Sequence, residues 1–177
     1  MKAITLHQPW ASLVAIGAKT IETRSWSTRH RGPLAIHAGA TMTRAQRATA
    51  YADPIGGALN GAGIMLGGDC EALPRGAIIA ACELVDVVPM VAAGPTTVEL
   101  AERHRATGML VVDGSGRDPR MAYYRPAIDL NEMSVDVTDQ RPFGDFAPGR
   151  FAWLLEDVQP CEPVPARGHQ QLWNWSP

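Results

Sequence analysis

The stretch HQPWASLVAIGAKTIETRSW, residues 7–26, orders the start of the fold by its succession of residue types. Pro9 suits the first position of a helix, where the N–H it lacks would have no intrahelical partner. Trp10, Leu13 and Val14 follow at helical spacing and Gly17 supplies a stop, which predicts a helix of about two turns. KTIETRSW, 19–26, then alternates like a strand. Ile21 and Thr23 fall on one face, and Thr20, Glu22, Arg24 and Trp26 on the other. Lys19 stands where the helix hands over to the strand.

Upstream, KAITL (2–6) is a short strand. Downstream, GPLAIHA (32–38) is another, with Leu34 and Ile36 on one face and His37 on the opposite one. TMTRAQRATAYAD (41–53) has the pattern of an exposed helix capped by Thr41, and the six glycines between 56 and 68 read as a loop or a loose helix–loop. GAIIAACELVDVVPM (76–90) is the most strand-like run, bounded by Gly76 and Pro89. TTVELAERHRATG (96–108) predicts a helix, from a threonine cap, Glu99 three residues on and Gly108 at the end. Residues 113–127 read as a surface loop, FAWLLEDV (151–158) as a buried strand and LWNW (172–175) as the closing segment. Strands joined by such varied connections argue against regular βαβ alternation. They predict an α+β architecture, a mixed barrel-like sheet with packed helices.

Composition narrows the function classes. An apolar fraction of 46% and a charged fraction of 19% are those of a globular protein, with no run of eighteen apolar residues to make a membrane span. MKAITLHQPW turns polar too soon for a signal peptide, and three cysteines without CxxC spacing argue against a disulfide framework or a structural zinc site. The expected location is the cytoplasm, with neither metal nor cofactor. Charge is uneven: residues 1–50 carry seven Lys/Arg against one acid, a net +6, while the remainder nets −8. A basic head on an acidic body points to a polyanionic partner, of which nucleic acid is the usual kind.

Within that head, Glu22 and Arg24 share a strand face. The pair is either a solvated salt bridge or a cleft wall, with Glu22 accepting from a ligand amino group and Arg24 holding a phosphate. Trp26, among Arg24, Arg29 and Arg31, has the setting of a base-stacking platform. His7 and His37 are either satisfied structural groups or, converging on Lys19 and Glu22, ligands or bases. The spacing 7, 22, 37 gives no specific support to a metal site. The glycine cluster lacks the GK[ST] ending of a phosphate loop.

Taken together, these segments resemble an ASCH domain, a member of the PUA-like β-barrel superfamily. HQPWASLVAIGAKTIETRSW is similar to the family's opening, QPWA followed by G-x-K-x-x-E-x-R-x-W. RGPLAIHA and LPRGAIIAACELVDVV are similar to its next strands, and FGDFAPGRFAWLLEDVQP with VPARGHQQLW to the closing segment of bacterial members. The resemblance implies one PUA-like domain over 1–177, with insertions at 41–72 and 107–142 that carry no family signal. It further implies a cleft beside the K-x-x-E-x-R strand, lined by Lys19, Glu22 and Arg24 with Trp26 and His37 adjacent. Related modules bind RNA or read modified bases.

One ASCH branch resembles amidohydrolases of N4-acetylcytidine with a K-T-x-T motif. Here Glu22 stands in the nucleophile's place and Thr23 is one residue off, which on a strand turns it to the other face. The leading expectation is therefore a binding module for RNA, single-stranded nucleic acid or a modified nucleoside. In it Trp26 stacks, Lys19 and Glu22 read the base edge, and Arg24, Arg29 and Arg31 hold phosphates, with His37 beside them. The alternative is a hydrolase of a modified nucleoside or of RNA, with Lys19 and Glu22 as its catalytic pair.

Overall fold

The computed structural model describes residues 1–65, 68–93, 97–100, 134–137 and 139–176. In chain order the elements are β1 (Lys2–Leu6), α1 (Trp10–Ala15), β2 (Ile21–Arg24), β3 (Gly32–Ala38), α2 (Arg44–Tyr51) and α3 (Ile55–Gly61). They continue with β4 (Ala77–Ala93), β5 (Thr97–Leu100), β6 (Ser134–Asp136), β7 (Phe151–Pro165) and β8 (Leu172–Asn174). The sheet path runs β2-β7-β4-β3-β1-β8, with β5 joined to β4 and β6. β1 and β3 pair in parallel, while β1 with β8, β2 with β7 and β3 with β4 are antiparallel. This mixed sheet with a few helices is the α+β arrangement expected from the sequence. Among the described residues no helix is long and apolar enough to cross a membrane.

The chain divides into two compact units. One comprises Met1–Thr20, His30–Val85 and Leu155–Pro177, the other Ile21–Arg29 and Asp86–Leu154. In the first, Leu34, Ala35, Ile36, His37 and Ala38 of β3 are all buried, as befits a strand flanked by β1 and β4 and covered on both faces. α1 lies against β3, and α3 against α1 and α2. The entry to α1 is held by Gln8, which is fully buried. Its Oε1 accepts the Ser12 N–H at 3.1 Å, and its Nε2 donates to the Ser12 hydroxyl at 2.8 Å and the Pro74 carbonyl at 2.7 Å. The side chain satisfies a free helix N–H as a capping residue would. Gly17, at φ +75°, ends the turn that follows. In the second unit Ile21, Met90, Val137, Phe146 and Ala152 form a core with Leu154 packed on it.

Several local expectations are corrected. α2 is capped by Thr43 rather than Thr41: the Thr43 hydroxyl accepts the Gln46 N–H, and Gln46 reaches back to the Thr43 N–H. Of the two readings of the glycine-rich stretch the helix–loop holds, with residues 55–61 helical, and a Cβ on Gly56 would stand 2.9 Å from the Tyr51 carbonyl oxygen. Glycine there permits close approach of backbone to backbone. β4 does not stop at Pro89 but continues to Ala93. The helix expected over 96–108 is a strand at Thr97–Leu100, where Leu100 pairs with Met90 and Val98 with Ala93 and Val135. Backbone pairing with strands on both sides overrides the local cap signal. Residues 101–108 and the 113–127 loop lie outside the described residues.

Candidate functional site

β2 pairs with β7 in the register Ile21↔Leu154, Glu22↔Trp153, Thr23↔Ala152 and Arg24↔Phe151. Side chains alternate, so Ile21, Thr23, Ala152 and Leu154 share one face and Glu22, Arg24, Phe151 and Trp153 the other. The first face carries the unit's core. On the second, Arg24 Nε lies 3.0 Å from Glu22 Oε1. Trp26, half-buried, sets its ring edge-on to Trp153, centroids 4.7 Å apart at 83°. The Trp153 indole N–H donates to the Trp26 carbonyl at 3.4 Å, tying the residues past the end of β2 to β7. Trp153 is fully buried and is the floor on which Trp26 rests.

Chemically, this face sets an acceptor-only carboxylate beside a donor-only guanidinium, next to an aromatic ring. The Glu22 and Arg24 side chains retain 12% and 25% exposure, so the pair sits at the boundary of solvent. An ion pair in that position adds at most about 1 kcal/mol to stability. Arg29 is exposed in the same unit.

The other residues singled out from the sequence belong to the first unit. Lys19 is buried, at 1% exposure, and its backbone N–H donates to the Leu13 carbonyl at 3.0 Å. Arg31 is half-buried and donates to the His30 carbonyl at 2.8 Å. His37 lies beneath the C-terminal segment. Its Nε2 bonds the Ala166 carbonyl at 3.0 Å, and its ring meets Trp173 edge-on at 5.7 Å. Burial pushes the His37 pKa down, the bond to Ala166 pulls it up, and His169 adds a smaller downward push. Thr5, beside His37 across the parallel pair, accepts from the Trp173 indole at 3.2 Å. Among the described residues no group of three or more His, Cys, Asp or Glu side chains could hold a metal ion.

The structure thus brings Glu22, Arg24 and Trp26 together on one face. Sequence reasoning missed Trp153 and Trp173. The aromatic residues were visible in FAWLLEDV and LWNW, but their neighbours lie more than a hundred residues away in the chain.

The family model for the ASCH domain matches residues 4–127, more than half of the chain. The chain belongs to the ASCH domain family. A stretch of this ASCH chain is 57% identical over 37 residues to human activating signal cointegrator 1, and another alignment is 57% identical over 35 residues to the mouse protein. These cover 21% and 20% of the chain and 6% of either relative, so the chain spans a small part of the curated relatives it matches. Among solved structures it is similar to ASCH from Zymomonas mobilis, at 16% identity and TM-score 0.38, over 92% of this chain and 71% of that one. A point mutant of the same protein aligns at 14% identity and TM-score 0.37, over 92% and 73%.

Proposed function

We propose that this ASCH chain is a nucleic-acid-binding module that takes RNA, or another single strand, beside the face of β2 that carries Glu22 and Arg24. The reading extends to selectivity for a modified base. One observation carries it: Glu22, Arg24 and Trp26 sit together on the strand face opposite the Ile21 cluster, with Trp26 seated on buried Trp153. Trp26 stacks a base, Glu22 accepts from a base N–H or amino group, and Arg24 and Arg29 hold phosphates. Buried Lys19 and His37 are assigned no ligand contact.

The test is a binding screen against short single-stranded RNA and DNA and a panel of modified nucleosides, read by quenching of tryptophan fluorescence. Trp26→Ala should cost about 1–3 kcal/mol of affinity for each base it stacks, and Trp26→Phe should keep most of it. Absence of binding to every member of the panel would sink the proposal, as would a Trp26→Ala variant that binds like wild type.

A further inference from the structure

Among the described residues β2 ends the sheet path, with β7 as its strand neighbour there. The Leu155 N–H donates to the Thr20 carbonyl at 2.9 Å. Hydrogen-bonded pairs alternate along an antiparallel ladder, so Glu22 and Arg24 turn their backbone groups to β7, while Ile21 and Thr23 turn theirs to the edge away from β7. Side chains meet them there. The Ile21 N–H donates to Gln140 Oε1 at 3.3 Å, and the Thr23 carbonyl accepts from Arg150 Nη2 at 3.2 Å. The Thr23 hydroxyl accepts the Asp145 N–H at 3.1 Å, and Arg150 Nη1 lies 3.3 Å from Asp145 Oδ2.

The segment that supplies these groups is itself fixed. Gly149 N–H donates to the Met90 carbonyl and Met90 N–H to the Arg150 carbonyl, each at 2.8 Å. Phe143 and Phe146 are buried. A Cβ on Gly144 would come within 3.2 Å of the Thr23 side chain, so the segment lies directly on β2. An unsupported edge strand frays or seeks another strand to pair with. Here an amide and a charged guanidinium occupy the places a strand backbone would fill, and the guanidinium bond is the stronger kind.

We propose that Gln140 and Arg150 are positioning residues: they bond the β2 backbone on the edge away from β7 and hold it so that Glu22 and Arg24 present one fixed geometry to the ligand. The inference rests on the reading of that face as the binding face. Both residues act through the backbone of Ile21 and Thr23, on positions that alternate with the binding side chains.

The experiment uses the full chain, with Gln140→Met and Arg150→Met and their conservative counterparts Gln140→Glu and Arg150→Lys. Amide hydrogen exchange at Ile21 is followed in free protein, and binding of a labelled single-stranded RNA is followed at several salt concentrations. Gln140→Met should speed exchange at Ile21, and Gln140→Glu, which keeps an oxygen acceptor, should restore it. Each methionine variant should weaken RNA binding by roughly tenfold, the worth of one hydrogen bond, without changing the salt slope. Unchanged Ile21 exchange in Gln140→Met overturns the clamp whatever the RNA result. Faster exchange with unchanged affinity overturns the positioning role, and a shallower salt slope in Arg150→Met overturns it by making Arg150 a phosphate contact. Wild type that binds no oligonucleotide removes the binding-face reading, and ligand positioning with it, while the exchange result still decides whether the edge is clamped.

Discussion

At His37 the Ala166 carbonyl can only accept, so Nε2 carries the proton of the neutral ring and Nδ1 is left as a buried acceptor without a partner. β1 presents Thr5 to the ring, β4 presents Ile78, and the C-terminal segment presents His169, whose charge would oppose that of a protonated His37. The folded-state pKa is therefore held below the ordinary 6.5, chiefly by burial, and the unfolded chain takes up the proton first. Neutral His37 contributes its full stability above about pH 6.5, and that contribution is lost as pH falls through the lower folded value. Urea denaturation from about pH 7.5 down to about pH 5 should show wild-type stability dropping more steeply than that of His37→Gln, which cannot titrate. Parallel pH profiles would remove His37 as the cause. Gly168 tests the same enclosure sterically, because a Cβ there would stand 2.5 Å from His37 Cε1 and 2.7 Å from Nδ1. Gly168→Ala should cost about 1–3 kcal/mol by the same denaturation assay, the usual range for overpacking. A loss too small to measure would mean that the segment yields easily.

At the scale of elements, β2 shows what a sequence can and cannot disclose. A period of two leaves two assignments of face, and apolar Ile21 against charged Glu22 and Arg24 chooses between them. The placing of Thr23 on the core side, away from Glu22, was legible for the same reason. The partners were not. Alternation names a face but not the neighbour on it, so Trp153 beneath Trp26 and Gln140 at the strand edge could come only from the fold. The signature threonine followed three residues later by Glu or Gln makes the limit plain. It occurs as Thr43 with Gln46, where it caps α2, and as Thr96 with Glu99, where the described residues are a strand. Local capping is worth on the order of 1 kcal/mol, and pairing with strands on both sides outweighs it. Glycine at 56 shows the same limit: it records the close approach of α3 to the end of α2, a contact that no local pattern contains.

For the whole molecule the relevant quantity is charge. A net −2 overall gives no long-range attraction for a polyanion, whereas residues 1–50 alone carry +6. The attraction must then be local, acting within about 10 Å at 0.1 M salt, and its strength is set by how many phosphates are touched rather than by net charge. If Arg24 and Arg29 are the two contacts of the β2 face, the affinity for single-stranded RNA should vary with salt at a log–log slope of about −1.4. That corresponds to roughly a sevenfold loss between about 50 and 200 mM. Arg29→Ala should reduce the slope to about −0.7 by removing one contact, and it should do so for every sequence alike. Glu22→Gln should leave the slope where it is and change the ranking among bases, because a carboxylate that reads a base edge touches no phosphate. Titrations of the three proteins at four or more salt concentrations separate these outcomes. A wild-type slope near zero would overturn the phosphate contacts. A Glu22→Gln variant with unaltered base ranking would remove Glu22 from recognition and leave Trp26 as the only base contact on that face.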